Sequence, residues 1–192
     1  MKNYFIFPAL TILFLLIACK GKKDVPKEKS KEEQPISALS IIKGQLNHLD
    51  TSIYEVKKFE TLNNVTDSTY LRRDEIRKIA APFLSLPDIA DAKYYEKYTE
   101  DKLIDIEQNT LNITALSKSD TAEIQKQIII VSISPTENSK VQSIFIDRYI
   151  SKGDSTIEQK LFWVLDNYFS IRNIIEKENQ PEKILTTKVT WQ

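Results

Sequence analysis

Two residue types with chemical range occur once each: Cys19 is the only cysteine and His48 the only histidine. A usual zinc site needs several Cys, His or carboxylate ligands, and a lone histidine does not supply them. A Ser-His-Asp triad on a G-x-S-x-G elbow has no matching motif. Phosphate and dinucleotide loops need clustered glycines, and the chain has only 3. His48 sits among helix-spaced residues and reads as a surface or half-buried helix position. Asp88 with Asp91, or Asp101 with Asp105 and Glu107, are the remaining candidates for an acid–base pair or a calcium site. Neither group has EF-hand spacing, and sequence spacing leaves carboxylate separation in space open. Both read as solvated charge. Arg72-Arg73-Asp74-Glu75 reads as a capped, charge-balanced helix start. No catalytic constellation, metal site or cofactor site is expected, so the chain is expected not to be an enzyme.

Cys19 has a different context. Lys2 gives a positive start, Tyr4 to Ile17 is an apolar run broken only by Pro8 and Thr11, and Leu16-Ile17-Ala18-Cys19 closes it. About 15 apolar residues fall short of the roughly 20 that span a bilayer as a helix. A basic residue, a short apolar stretch and a small residue before the cut describe a secretory signal. LIAC resembles the lipobox of bacterial lipoproteins. That resemblance implies cleavage after residue 18, a diacylglycerol on the Cys19 thiol, and an acylated new amino terminus. Two or three acyl chains satisfy the rule that stable anchoring needs more than one lipid signal. The residue after the cysteine is Lys20 rather than Asp. By resemblance to lipoprotein sorting signals this disfavours inner-membrane retention and implies the outer membrane, on its periplasmic or surface face. Residues 1–18 are thus read as the signal peptide.

Cleavage there removes one lysine and no acid from a chain with 27 basic and 27 acidic residues. The near-neutral remainder offers no basic field for nucleic acid. With Cys19 committed to lipid, no disulfide forms within the chain, and the fold rests on its apolar core. Residues 19–35 are the lipidated cysteine followed by KGKKDVPKEKSKEEQP. That segment cannot bury enough apolar surface to offset its ordering entropy, and reads as a charged, disordered tether. Residues 36–192 are long enough for one domain.

Ile36, Leu39, Ile42, Leu46 and Leu49 recur at three and four residues and predict a helix. The same spacing runs on through Ile53, Val56 and Phe59 as one long helix. The other reading is a strand over Ile53 to Thr61 that turns at Asn63-Asn64 into Ser68 to Leu71; β-suited residues and turn formers favour it. Arg73 to Leu84 predicts a second helix, with Pro82 set to kink or shorten it. Ala90 to Glu100 suggests a short helix. Then come strands at Thr110–Ser117, Ile124–Ile133, Val141–Ile150, Glu158–Leu165, Tyr168–Glu176 and Lys183–Trp191. Short turn-rich breaks join them, with Asp166-Asn167 suiting a two-residue turn, so the neighbours are antiparallel. The expected fold is α+β: N-terminal helices on an antiparallel meander sheet of about six strands.

Asp67-Ser68-Thr69, Asp120-Thr121-Ala122 and Asp154-Ser155-Thr156 share a pattern. It resembles the acceptor motif of general O-glycosylation systems of bacteria that modify exported proteins, which would place sugars on Ser68, Thr121 and Ser155, all expected in loops. Asp-Ser and Asp-Thr also favour turns for backbone reasons alone.

The order of parts, with the phrases DSTYLRRDE, FLSLPDI and FIDRYISKGDST, resembles a family of small bacterial envelope lipoproteins to which no activity is attached. The expectation is a non-catalytic binding or assembly module held at the membrane by Cys19 and meeting an envelope protein. The alternative is a carrier of an acyl chain, similar to outer-membrane lipoprotein-localisation factors, with Phe162, Trp163, Phe169 and Trp191 lining the cavity.

Overall fold

Ser37 opens the first helix, α1 (Ala38–Thr51). Its hydroxyl oxygen accepts from the Ser40 amide at 3.0 Å, satisfying one of the N–H groups that a helix start leaves unpaired. Ala38, Ile42, Leu46 and Leu49 share one face and are buried, as their spacing requires. The computed structural model describes residues 35–134, 136 and 138–192, which belong to one compact unit.

The helix stops at Ser52, so the long-helix alternative is not formed. The chain instead makes a hairpin of β1 (Val56–Leu62) and β2 (Val65–Tyr70). Asn63 and Asn64 connect them with φ of 48° and 67°. Positive φ at both central residues is the type I′ requirement, and asparagine tolerates it better than most residues.

The expected helix from Arg73 to Leu84 is two helices, α2 (Arg73–Ile79) and α3 (Ala81–Leu84). Pro82 lacks an N–H and its ring crowds the carbonyl one turn back, so the ladder breaks at Ala80. The Glu75 carboxylate accepts from the Arg72 amide at 2.8 Å, and Arg72 pairs with Asp74 at 2.9 Å; RRDE is a helix start. A short α4 (Ala92–Tyr95) follows.

Seven further strands complete the sheet: β3 (Tyr98–Asp105), β4 (Thr110–Ser117), β5 (Ile124–Ser132), β6 (Lys140–Lys152), β7 (Ser155–Val164), β8 (Tyr168–Lys177) and β9 (Lys183–Trp191). The order is β2-β1-β9-β8-β7-β6-β5-β4-β3, every pair antiparallel. The fold is α+β with helices against an antiparallel sheet, as expected, but the sheet has nine strands rather than about six. β1 and β2 add to the six of the meander. β3 is a further strand whose residues the sequence reading had placed partly in a helix over Ala90 to Glu100. As an edge strand it is largely exposed on both faces, so YTEDKLID lacks the alternation that marks a half-buried strand. The β7–β8 connection spans residues 165–167, one longer than the expected Asp-Asn pair, with Asp166 at φ 58°.

Helices cover one face of this sheet. Register places Val189, Phe169, Trp163, Ile144, Ile129 and Ile113 side by side across six strands, all buried. Trp163 and Phe169 stack at 4.8 Å and 18°. Phe83 of α3 meets both edge-on, at 5.2 Å and 5.7 Å. Trp191 leans against Trp163 at 5.8 Å. This aromatic block pins the helices to the sheet.

Candidate functional site

The residues singled out by chemistry do not converge. Cys19 lies outside the described residues. His48 is exposed on α1, edge-on to Tyr54 at 6.0 Å. Asp88 accepts from the Ser37 hydroxyl and, at 3.1 Å, from the Ala90 amide, while Asp91 occupies the α4 N-cap position without a side-chain cap bond. Asp101 and Asp105 stand on β3, where Asp105 accepts from the Gln108 amide at 3.0 Å, and Glu107 is in the turn beyond. Among the described residues no group of three His, Cys, Asp or Glu is placed to hold a metal ion.

The three hydroxyl residues are scattered, and only one sits in a loop. Thr121 is exposed in the turn between β4 and β5, its hydroxyl 3.0 Å from that of Ser119. Ser68 is in strand β2, and Ser155 is the first residue of β7. The loop expectation fails there because the two tight turns end earlier, at Asn64 and Asp154. Ser68 and Thr121 are exposed, while Ser155 is half-buried.

The carrier reading expected four aromatic rings around a cavity. Trp163, Phe169 and Trp191 instead pack against one another and are buried, and Phe162 points to the opposite face of the sheet. Two small, partly open clefts beside the core measure about 20 Å³ and 10 Å³.

The opposite face is where organised side chains remain. Residues alternate along a strand, so those between the core positions point away from the helices. Phe162 of β7, Phe145 of β6 and Ile128 of β5 are direct cross-strand neighbours. All three are half-buried, and among the described residues no helix lies over them. Beside them runs a charged row: Arg172, Lys160, Asp147 and Lys126 on β8, β7, β6 and β5. Glu158 binds Lys160 at 2.9 Å and stands opposite Tyr149. Tyr168 meets Phe162 edge-on at 6.0 Å and lies under the Lys188 ammonium at 4.1 Å. Lys57 sits 5.2 Å and 5.4 Å from the Phe59 and Tyr70 rings. Such contacts hold cations against aromatic faces.

One carboxylate oxygen of Asp147 is shielded from water and has no hydrogen-bond partner. Burial pushes the Asp147 carboxyl up, Glu158 adds to this, and Lys160 and Lys126 pull it back. Burial also raises the Tyr149 hydroxyl, with Glu158 and Asp147 adding to it. The Lys160 ammonium is raised first by its hydrogen bond to Glu158. The result is a mixed-charge strip beside an apolar strip.

On the helix side, Ser85, Tyr94, Lys97, Tyr98 and Glu123 border an open depression of about 440 Å³. Arg148 pairs with Glu123 at its rim and reaches Gln159 at 3.3 Å. Gln159 donates to Asn173 at 2.7 Å. The Tyr98 hydroxyl donates to the Ile124 carbonyl at 3.1 Å. Burial raises its pKa, with Glu123 and Tyr94 adding to the shift. These polar contacts join β5 to β3 and β6 to β7 and β8.

Sequence reasoning missed the outer strip. Its residues alternate with core residues that are equally apolar, as in Ile128-Ile129-Ile130-Val131. The available signal was the pairing of aromatic and charged residues at every second position, Phe145-Asp147-Tyr149 and Glu158-Lys160-Phe162. No protein-family model, no curated protein and no solved structure matches this chain.

Proposed function

We propose that the chain is a lipid-anchored lipoprotein of the cell envelope whose domain is a non-catalytic binding or assembly module that meets an envelope protein through the outer face of its sheet. The observation that carries this reading is the row Ile128, Phe145 and Phe162. These side chains are half-buried, lie side by side across three paired strands and have no covering element among the described residues. A half-buried apolar strip with two aromatics, beside a mixed-charge row, fits a protein partner, since interface centres favour aromatics and their rims are polar. The anchoring half of the reading rests on LIAC and the tether. In it Cys19 carries the lipid and the outer membrane holds the protein.

The test replaces Phe162 with a photo-crosslinking amino acid in intact cells, followed by recovery through a C-terminal tag. One specific envelope protein is expected, and it should vanish when the crosslinker is moved to exposed Lys43 on α1. Crosslinking to lipid alone, or to no defined species, overturns the binding reading. Cys19→Ala tests the anchor separately: the protein should leave the membrane fraction, and retention there overturns lipidation. Intact mass of the native protein reports both the acyl chains and any sugar on Ser68, Thr121 or Ser155. The acyl-carrier alternative has less support, because a ligand of that size needs several hundred cubic ångströms of apolar space and the core is filled.

A further inference from the structure

An open nine-stranded sheet has two edges, and the two are built differently. On β2 the Leu71 amide donates to the Val56 carbonyl at 2.9 Å. In an antiparallel ladder that parity repeats every second residue. Val65, Asp67 and Thr69 therefore direct their backbone groups to β1, and Thr66, Ser68 and Tyr70 direct theirs outward. The Ser68 amide fits this assignment, since it donates to the Asp67 carboxylate at 2.7 Å.

The β3 edge is guarded. The Lys118 amide donates to the Lys97 carbonyl at 3.0 Å, which turns Tyr98, Glu100, Lys102 and Ile104 outward. Glu100, Asp101, Lys102 and Asp105 give this strand charge at half its positions, a usual device against strand addition. Antiparallel self-pairing about Glu100, Asp101 or Lys102 would set like charge against like.

The β2 edge, VTDSTY, has none of these devices. It has one charge, no lysine, no proline and no break in its register with β1. All six residues are exposed, Val65 at 73% and Tyr70 at 61%. Antiparallel pairing of two copies about Ser68 sets Ser68 against Ser68, Thr66 against Tyr70, Asp67 against Thr69 and Val65 against Leu71. Each outward amide then meets an outward carbonyl, and no charge faces its like directly.

We propose that β2 is a self-pairing edge, through which a second copy of this chain adds antiparallel about Ser68 and continues the sheet across a two-fold axis. The occupant is a second copy because the strand complements itself in this register. Asp67 tempers the contact: its carboxylate holds the Ser68 amide and must release it. The two Asp67 side chains lie on a diagonal, where repulsion is mild.

Sedimentation of the full chain over a micromolar to millimolar series tests this, with Ser68→Pro as the main variant. The Ser68 amide is outside the β1 ladder, so proline removes an outward donor, now held by the Asp67 carboxylate, without removing a ladder bond. A reversible monomer–dimer equilibrium is expected, lost in Ser68→Pro. Thr69→Lys, which places a cation opposite Asp67 of the second copy, should tighten it several-fold even if the proline variant misfolds. In a Cys19→Ser background, Ser68→Cys should give a disulfide-linked dimer on mild oxidation, because directly paired residues lie about 5.5 Å apart. Glu100→Cys on the guarded edge should give several-fold less. A chain that stays monomeric throughout, a dimer unaffected by both β2 variants, or equal crosslinking from Glu100→Cys overturns the proposal.

Discussion

Replacing Trp163 by alanine tests whether the aromatic block is packing or the wall of a ligand space. The side chain is 0% exposed. It stacks on Phe169 at 4.8 Å and touches Phe83 and Trp191 at 5.2 Å and 5.8 Å. Truncating a large buried aromatic costs about 3–5 kcal/mol, with the upper end reached where the site cannot collapse. Three ring neighbours spread over one helix and two strands make collapse difficult. One term opposes this: the indole Nε1 is buried with no hydrogen-bond partner, and removing it returns about 1 kcal/mol. The expected net loss is about 3–4 kcal/mol, out of a total of about 5–15 kcal/mol for such a domain. Urea unfolding followed by circular dichroism should show a midpoint lower by about 1–2 M. Trp163→Phe keeps a ring and removes the unpaired N–H, so it should cost less than about 1.5 kcal/mol. A loss below about 1 kcal/mol in Trp163→Ala would refute the packing account and return the ring to a ligand-lining role.

Three further outcomes follow from local geometry. Asn64 sits at φ 67°, so Asn64→Gly should stabilise the domain by up to about 1 kcal/mol and Asn64→Val should destabilise it by about 1–2 kcal/mol, read from thermal midpoints. Gln45 exchanges two hydrogen bonds with Asp166, at 2.9 Å and 2.8 Å, pinning α1 to the β7–β8 turn; Gln45→Ala should cost about 1–2 kcal/mol in urea unfolding, and no change would mean the clasp is not formed in solution. The Asp147 carboxyl is raised by burial and then by Glu158, so the fold prefers its protonated form: that preference is fully present below the ordinary carboxylate range and is lost as pH rises through the raised value. Asp147→Asn should therefore be more stable than the parent at neutral pH, by less than about 1 kcal/mol after solvent screening, with the gap closing as the solution is made acid; a constant gap across that range would assign it to packing.

The legible parts of the fold were those where one short-range rule acted alone. Asn63-Asn64 stated a hairpin because few residues accept two successive positive φ values. Pro82 stated a helix break because it cannot donate. The meander followed from short polar loops, which cannot carry a parallel crossover. β3 was not legible, because edge strands face water on both sides and shed the alternation by which strands are read. Tyr94 and Tyr95, helical in α4, sit just before Tyr98 and carried the helical reading too far.

The candidate site was hidden for a different reason. Ile128, Phe145 and Phe162 are as apolar as the core residues that flank them, and nothing local says which side of the sheet receives the helices. That choice is made at long range, where Phe83 of α3 seats edge-on against the stacked pair Trp163 and Phe169. Once those two rings are committed inward, strict alternation sends Phe162 and Lys160 outward, and the register carries Phe145, Asp147, Ile128 and Lys126 with them. The outer strip is thus fixed by the packing of the opposite face. A substitution that reseats Phe83 would disturb the outer surface through the sheet, although no helix among the described residues touches it. Phe83→Ala should accordingly weaken photo-crosslinking from Phe162 along with stability, whereas Lys160→Ala should weaken crosslinking while leaving the urea midpoint nearly unchanged. If both variants lowered stability and crosslinking in the same proportion, the strip would be a by-product of the fold rather than a surface in its own right.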